Sequence, residues 1–424
     1  MRLRTKLVIL ATVCATLVLT LLTRNLTMGN KQVDSSFERR YAATDPQFPR
    51  AMGAVLSPAL IAGNRVEELL NGEQIFPAML GSIKSAQQSI TLETYIYWSG
   101  TIGAEFTDSL AERAKAGVKV NVLLDWVGGQ LDEALLDRMR AAGIEIQRYN
   151  RPHWHNLGRM NNRTHRKLLV VDGKTGFIGG VGIADTWRGS AQDSEHWRDT
   201  HFKVSGPAVR QIQSAFIDNW LQSTGNVLHG EAYLPDLDAQ GSASAQVFTS
   251  APGGGAESMQ LMYLMSITAA GRSIDLSASY FIPDNVAVDA IVAALKRGVK
   301  VRILLPGPYM DMAVVRRASR AEWGPLLSAG AEIYEYQPTM FHCKVMVVDR
   351  VWTSVGSANF DTRSFSINDE ANLNVYDAEF SRRQVNIFEQ DLKLSQRITF
   401  EDWDNRPLLD KSLDFAASLL SSQL

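Results

Sequence analysis

Cysteine is nearly absent: the 424 residues contain two, Cys14 and Cys343. Two thiols cannot build a disulfide framework or a thiolate metal site. Histidine is scarce as well, at seven residues, so any imidazole chemistry rests on a short list. An excess of positive charge is missing: 43 Lys and Arg stand against 45 Asp and Glu, a net charge of −2. No global basic field is therefore available to hold nucleic acid. Zinc-ligand spacings and Gly-rich nucleotide loops are also absent, so neither metal nor cofactor is expected. What is present is the mix of a globular protein, 45% hydrophobic and 21% charged, with a length that suits two or three domains at roughly 150 residues each.

One long apolar run exists. Arg2, Arg4 and Lys6 precede uncharged Leu7–Leu22, and Arg24 closes it. Sixteen helical residues reach about 24 Å, slightly short of a bilayer core of roughly 30 Å, which Lys6 and Arg24 make up by snorkelling. The following Thr23-Arg24-Asn25-Leu26-Thr27 offers no small-x-small cleavage site, so an uncleaved anchor is expected rather than a signal peptide. The denser positive charge before the run favours an N-inside orientation, with the bulk of the chain outside the cytoplasm.

The rest of the chain repeats itself. SITLETYIY (89–97) is echoed by SIDLSASYF (273–281), AKAGVKVNVLLD (114–125) by LKRGVKVRILLP (295–306), and AAGIEIQRYN (141–150) by SAGAEIYEYQ (328–337). THRKLLVVDG (164–173) and DTHFKV (199–204) recur as FHCKVMVVDR (341–350) and EANLNV (370–375), all at offsets of 171 to 187. Five blocks in one order mark a duplicated domain. Within the first copy the pattern predicts a strand over Ser89–Tyr97, a helix over Thr107–Ala116, a strand over Val118–Leu124, and a helix over Leu131–Ala142 ended by Gly143. Alternating βαβ units imply an α/β fold with a mixed or mostly parallel sheet between helices, and two such halves should pack about a pseudo-twofold axis. The expected organisation is an anchor over 1–30, a first domain over 50–225, a Gly-, Ser- and Ala-rich connection over 226–256, and a second domain over 257–424 with a helical tail.

The repeat contains His-x-Lys-(x)4-Asp twice: His165, Lys167 and Asp172, then His342, Lys344 and Asp349. Residues two apart in extended chain share a face, so each His and Lys point together. Asp172 and Asp349 point the other way and are expected to fix the following turn; Cys343 is expected in the core. Two histidines and two lysines brought together by the pseudo-twofold suit an anionic phosphodiester. Histidine serves as nucleophile or as general acid and base, while lysines and neutral donors such as Ser357 and Asn359 stabilise the transition state.

The sequence resembles the phospholipase D superfamily, whose signature is HxK(x)4D(x)6GSxN. The second half matches from His342 through Asn359; the first has Gly179-Gly180-Val181-Gly182 where GSxN would stand. Within the superfamily it is similar to bacterial cardiolipin synthases, through LETYIYW (92–98), NNRTHRKLLVVDG (161–173), WRDTHFKV (197–204), RRASRAEWGPLLSAGAEIYEYQ (316–337) and SQRITFEDWDNRP (395–407). The resemblance implies two tandem α/β/α sandwich domains after an N-terminal anchor helix. It also implies an enzyme in the inner membrane that joins two phosphatidylglycerol molecules into cardiolipin and glycerol through a phosphatidyl-histidine, with phosphatidylethanolamine as a further candidate substrate. Hydrolysis by the same site, as a phospholipase D or an extracytoplasmic nuclease, is the alternative, although the neutral charge disfavours nucleic acid. By family analogy His165 is the nucleophile, and each histidine is oriented by an acid of its own half: Asp199 for His165, Glu370 for His342. Three further segments stand out. His153, Trp154 and His155 form a loop before the first motif, Arg316, Arg317 and Arg320 are expected on a helix surface, and Leu408–Leu420 reads as an amphipathic helix docked on the core.

Overall fold

A computed structural model describes residues 3–27, 38–151, 161–252, 259–421 and 423. Seventeen strands follow in chain order. They are β1 (Ile61–Leu70), β2 (Ser89–Thr94), β3 (Lys119–Asp125), β4 (Glu145–Tyr149), β5 (Leu168–Val171), β6 (Thr175–Gly179), β7 (Thr200–Ser205), β8 (Ala243–Ser250) and β9 (Ser273–Ala278). Then come β10 (Phe281–Ile282), β11 (Lys300–Pro306), β12 (Glu332–Tyr336), β13 (Lys344–Val348), β14 (Trp352–Gly356), β15 (Phe360–Asp361), β16 (Glu370–Tyr376) and β17 (Ser395–Ile398).

Fifteen of them make one sheet in the order β17-β12-β11-β9-β13-β14-β16-β8-β1-β7-β6-β5-β2-β3-β4, and β10 pairs with β15 apart from it. Apart from β17 at one edge, the order is its own mirror about the β8–β1 seam: β4-β3-β2-β5-β6-β7-β1 in one half answers β12-β11-β9-β13-β14-β16-β8 in the other. Each half contains a parallel trio, β2-β3-β4 and β9-β11-β12, whose parallel neighbours are joined through helices. The central strands are buried on both faces, as all six residues of β2 show, because helices cover the sheet on each side.

Local chemistry sets the helix ends. Asp132 and Asp284 accept amides three residues on, from Leu135 at 2.9 Å and Ala287 at 2.8 Å, an N-cap kept in both halves. Gly143, at φ +85°, stops the helix that ends at Ala141 by taking a left-handed turn. The helix expected over Thr107–Ala116 runs over Thr101–Lys115. It begins earlier because the distant Asp185 carboxylate accepts the Thr101 and Ile102 amides at 2.9 and 2.8 Å, a cap that no local pattern reveals.

The expected connection over 226–256 is only partly irregular. It contains β8, which pairs antiparallel with both β16 and β1 and so forms the seam between the halves. A shared cluster of Val66, Leu168, Val247, Val355 and Leu373 packs there, whereas each half keeps a separate helix-on-sheet core. Near the N-terminus, helix Leu3–Thr27 contains a stretch, Arg4–Thr23, that is long and apolar enough to cross a membrane and is not buried against the protein.

Candidate active site

The two motifs meet through the opposite halves. Thr164 makes a parallel bridge with Asp369, and the His165 amide donates to the Asp369 carbonyl at 2.9 Å. In the same way Phe341 bridges Arg198, and the His342 amide donates to the Arg198 carbonyl at 2.7 Å. Each histidine therefore lies beside the acid that follows its bridging partner. His165 Nδ1 sits 2.9 and 3.0 Å from the two Glu370 oxygens, and His342 Nδ1 lies 2.7 Å from Asp199 Oδ2. The expected pairing within each half is overturned: the acids cross over, because the bridges that seat the motifs run between halves. Both carboxylates are ionised acceptors, so each Nδ1 donates and leaves Nε2 for a reactant.

The acids are themselves held. Ser357 Oγ donates to Glu370 Oε2 at 2.5 Å and Ser364 Oγ to Oε1 at 2.7 Å. Ser357 is wholly buried and absent from the cavity wall, which corrects its expected place on the substrate phosphate: it orients Glu370. Asp199 is bound by Trp187 Nε1 at 3.1 Å and by the Thr200 amide at 2.7 Å. Here Trp187 does what a serine does in the second half, which accounts for the first half's departure from GSxN. A Cβ at Gly180 would stand 2.6 Å from Asp199 Oδ1, and one at Gly182 would stand 2.9 Å from Ile96 Cβ.

Asn359, in contrast, lines the cavity. Its Oδ1 accepts from Ser279 Oγ at 2.7 Å, and Ser279 accepts from Lys344 Nζ at 2.5 Å, so among the described residues the Asn359 NH2 group has no protein acceptor. Lys167 and Lys344 each fold back onto the carbonyl of their own histidine, at 2.7 and 2.8 Å, as the shared-face spacing requires. Lys344 Nζ also stands 3.2 Å from both ring nitrogens of His342. Asp172 and Asp349 point away from the site, but they do not brace the turn that follows. With φ of +52° and +53°, they accept the amides of Gln87, Gln88 and Ser89, and of Gly271, Arg272 and Ser273, at 2.7–3.1 Å. They fix the entry into β2 and β9, the strands beside their own.

Both histidines, Lys167 and Asn359 face one cavity of about 540 Å³. Its wall is polarised. Near His165 stands the Tyr95 ring, edge-on at 5.4 Å, and Arg163 and Arg363 also line the cavity. Near His342 stand Trp187 and Trp197, each 5.4 Å from the imidazole. Burial, reinforced by Lys344, depresses His342 to about 3. Burial likewise depresses His165 to about 4 against the pull of Glu370, so both rest neutral. Burial also brings Lys167 down to about 7. Despite burial, the His342 and His165 partners hold Asp199 and Glu370 below the usual carboxylate range.

Behind each histidine lies a buried arginine. Arg166 stands 3.7 Å from Asp369 and donates to the Ala215 carbonyl at 2.7 Å; nearby, burial raises Glu93 to about 7 and Asp369 to about 6. Arg198 makes two bonds of 2.9 Å to Asp391 beside buried Cys343. The composition and motif spacing had not singled out Arg363, Tyr280, Ser279, Ser364, Trp187 or Trp197. Ser279 and Tyr280 carried a signal as members of the echoed SIDLSASYF block, and Trp197 as the first residue of WRDTHFKV. Arg316 and Arg317 are not free surface cations: they pair with Glu335 at 2.6 Å and with Asp410 and Asp414 at 3.3 Å. His153, Trp154 and His155 lie outside the described residues.

Paired histidines backed by carboxylates, with Lys167 and an amide donor at one cavity, have the chemistry that phosphoryl transfer needs. Comparison with known proteins narrows the class. Residues 79–219 and 263–392 match the family described as cardiolipin synthase, phospholipase D-like domain. The chain is 36% identical over 365 residues to the major cardiolipin synthase of Bacillus subtilis (strain 168), covering 84% of this chain and 75% of that protein. It is 35% identical over 355 residues to cardiolipin synthase A of Pseudomonas syringae pv. syringae, covering 83% and 74%. Among solved structures, the phosphatidylserine synthase of Haemophilus influenzae Rd KW20 shares the fold, with a TM-score of 0.70 at 13% identity over 89% of this chain and all of that one. The protein belongs to the phospholipase D superfamily, in its cardiolipin synthase family.

Proposed function

We propose that this protein is a membrane-bound phosphatidyltransferase that converts two phosphatidylglycerol molecules into cardiolipin and glycerol. The observation that supports it most is the single cavity onto which both histidines open, each with Nδ1 held by the other half's acid. Binding of the anionic phosphodiester draws a proton onto His342 Nε2. In the first step His165 Nε2 attacks phosphorus, the bond to the glycerol headgroup breaks, and the His342 imidazolium gives that oxygen its Nε2 proton. In the second, His342 takes the proton from a glycerol hydroxyl of another phosphatidylglycerol, whose oxygen displaces His165 and restores the enzyme. Lys167 and Asn359 supply positive charge and a donor to the phosphoryl oxygens, Lys344 adds its charge from beside His342, and Ser357 acts through Glu370. The helix at Leu3–Thr27 holds the catalytic halves at a bacterial inner membrane, on its extracytoplasmic side.

Incubating purified protein with phosphatidylglycerol and separating the lipids tests this reading. Cardiolipin with equimolar glycerol is expected; phosphatidic acid as the main product would instead make the protein a hydrolase. His165→Ala and His342→Ala should each lower turnover by about 10² to 10⁴ or more. Peptide mass spectrometry should find phosphatidyl on His165 in His342→Ala and none in His165→Ala; an adduct on His342 would reverse the assignment.

A further inference from the structure

Helix Leu408–Ser418 docks with its polarity inside out. The residues it buries are Asp414 and Ala417, and Asp414 is held by Arg317 at 3.3 Å, Arg406 at 3.5 Å and Arg320 at 4.0 Å. Its outer side carries Leu408, Leu409 and Phe415, continued by Leu419, at 81, 70, 65 and 69% exposure. Outside the N-terminal helix, these are the four most exposed large hydrophobic side chains among the described residues. Leu408, Phe415 and Leu419 are seven and four residues apart and form one stripe. A protein surrounded by water does not keep such a stripe bare without a use for it.

The stripe stands beside the catalytic cavity. The helix packs on helix Ala313–Ala321, whose Val315, with the preceding Met312, lines the cavity; so does Gln423 just past the stripe. The Gln423 carbonyl accepts Arg363 Nη1 at 3.0 Å, which ties the tail to the cavity wall. Resting on the proposed phospholipid substrate, we infer that the Leu408–Leu420 face inserts into the interfacial layer of the membrane and seats the cavity mouth on the leaflet. Two neighbouring features select lipid over a second copy of the chain, a helix lying on the body with apolar side chains outward and a cavity with cationic and aromatic residues in its wall beside it, and the apolar N-terminal helix supplies a tether. A helix in this attitude binds by shallow insertion of its apolar face. A lipid can then move from leaflet to His165 and His342 without exposing its acyl chains to water.

The test uses the full chain with Cys14→Ser, since buried Cys343 does not compete for label. Bimane is attached at Phe415→Cys, or at Val227→Cys as an exposed control, and the protein is reconstituted in phosphatidylglycerol–phosphatidylcholine vesicles bearing acyl-chain nitroxides. The label at 415 should be quenched several-fold more by nitroxide lipid than the label at 227, and be shielded from aqueous iodide. Equal iodide quenching at both positions would overturn the inference. So would shielding without nitroxide quenching that disappears on dilution, the signature of a second copy. Quenching needs no turnover, so loss of the cardiolipin reading would show only in the product assay. A triple Leu408→Ser, Phe415→Ser, Leu419→Ser variant should unfold at the same temperature and act normally on detergent-dispersed lipid. Its turnover on vesicles should fall by about tenfold or more; unchanged vesicle turnover would also contradict the inference.

Discussion

With His165 and His342 fixed at Nδ1 by carboxylates, each ring presents Nε2 to the cavity, and that constraint governs the chemistry of both. The crossed pairing is measurable. A cycle combining His165→Ala with Glu370→Gln should give a coupling of about 0.5–3 kcal/mol in unfolding of the detergent-solubilised protein. The cycle combining His342→Ala with Glu370→Gln should give much less, and the reverse order would restore pairing within each half. The protonation states make a second prediction. Because the folded pKa values, about 4 and 3, lie below the free value, the folded state binds fewer protons. The stability these two histidines contribute is therefore present above about pH 6.5 and lost as pH falls toward 4. A bound phosphate reverses that bias by favouring imidazolium and ammonium. Binding of dimethyl phosphate, a phosphodiester anion with no ionisation of its own near pH 6, should therefore take up about one proton, read as buffer-dependent binding heat. Proton release would contradict neutral resting histidines.

At the scale of elements, the duplicated strands solve one problem in two ways. The turn after β14 uses Ser357 to hold Glu370, whereas the turn after β6 uses glycines and lets Trp187 hold Asp199. Gly180→Ser tests whether the two are interchangeable. Its Cβ would meet Asp199 Oδ1 at 2.6 Å, so the carboxylate must shift away from His342. Turnover should drop by about 10–100-fold, the usual effect of disturbing a group that orients a reacting side chain. Wild-type rates in Gly180→Ser would show that the glycine is incidental. The stop at Gly143 was read from the sequence because it acts on its own helix end, whereas the helix expected from Leu131 begins at Glu133, after the Asp132 cap. The Asp185 cap on Thr101 could not be read, because it arrives from more than 80 residues away.

For the molecule as a whole, the anchor and the active halves are separable. Removing residues 1–27 should leave a folded protein that alkaline carbonate strips from membranes, whereas the full chain stays with the pellet. Turnover on detergent-dispersed lipid should persist, and its loss would show that the Leu3–Thr27 helix supports the fold as well as the attachment. The two halves do not separate in this way: β8 and β1 join them at the centre of a single sheet, and neither histidine has its acid without the other half.

Sequence alone determined the duplication, the α/β class, the identity of His165, Lys167, His342 and Lys344, the turning-away of Asp172 and Asp349, and the apolar N-terminal helix. All of these follow from repeat spacing, period-two alternation and hydropathy, which are properties of neighbours along the chain. Tertiary structure alone decided that Glu370 serves His165 and Asp199 serves His342, that Ser357 faces an acid rather than the cavity, that β8 lies inside the expected connection, and that the last helix turns its leucines outward. Each depends on contacts between segments 13 to 205 residues apart in sequence, as the nearer Ser357–Glu370 bond and the His165–Glu370 pair mark the limits. Which face of an amphipathic segment meets the core depends on its partner: here three arginines draw Asp414 inward more strongly than the core draws Leu408 or Phe415.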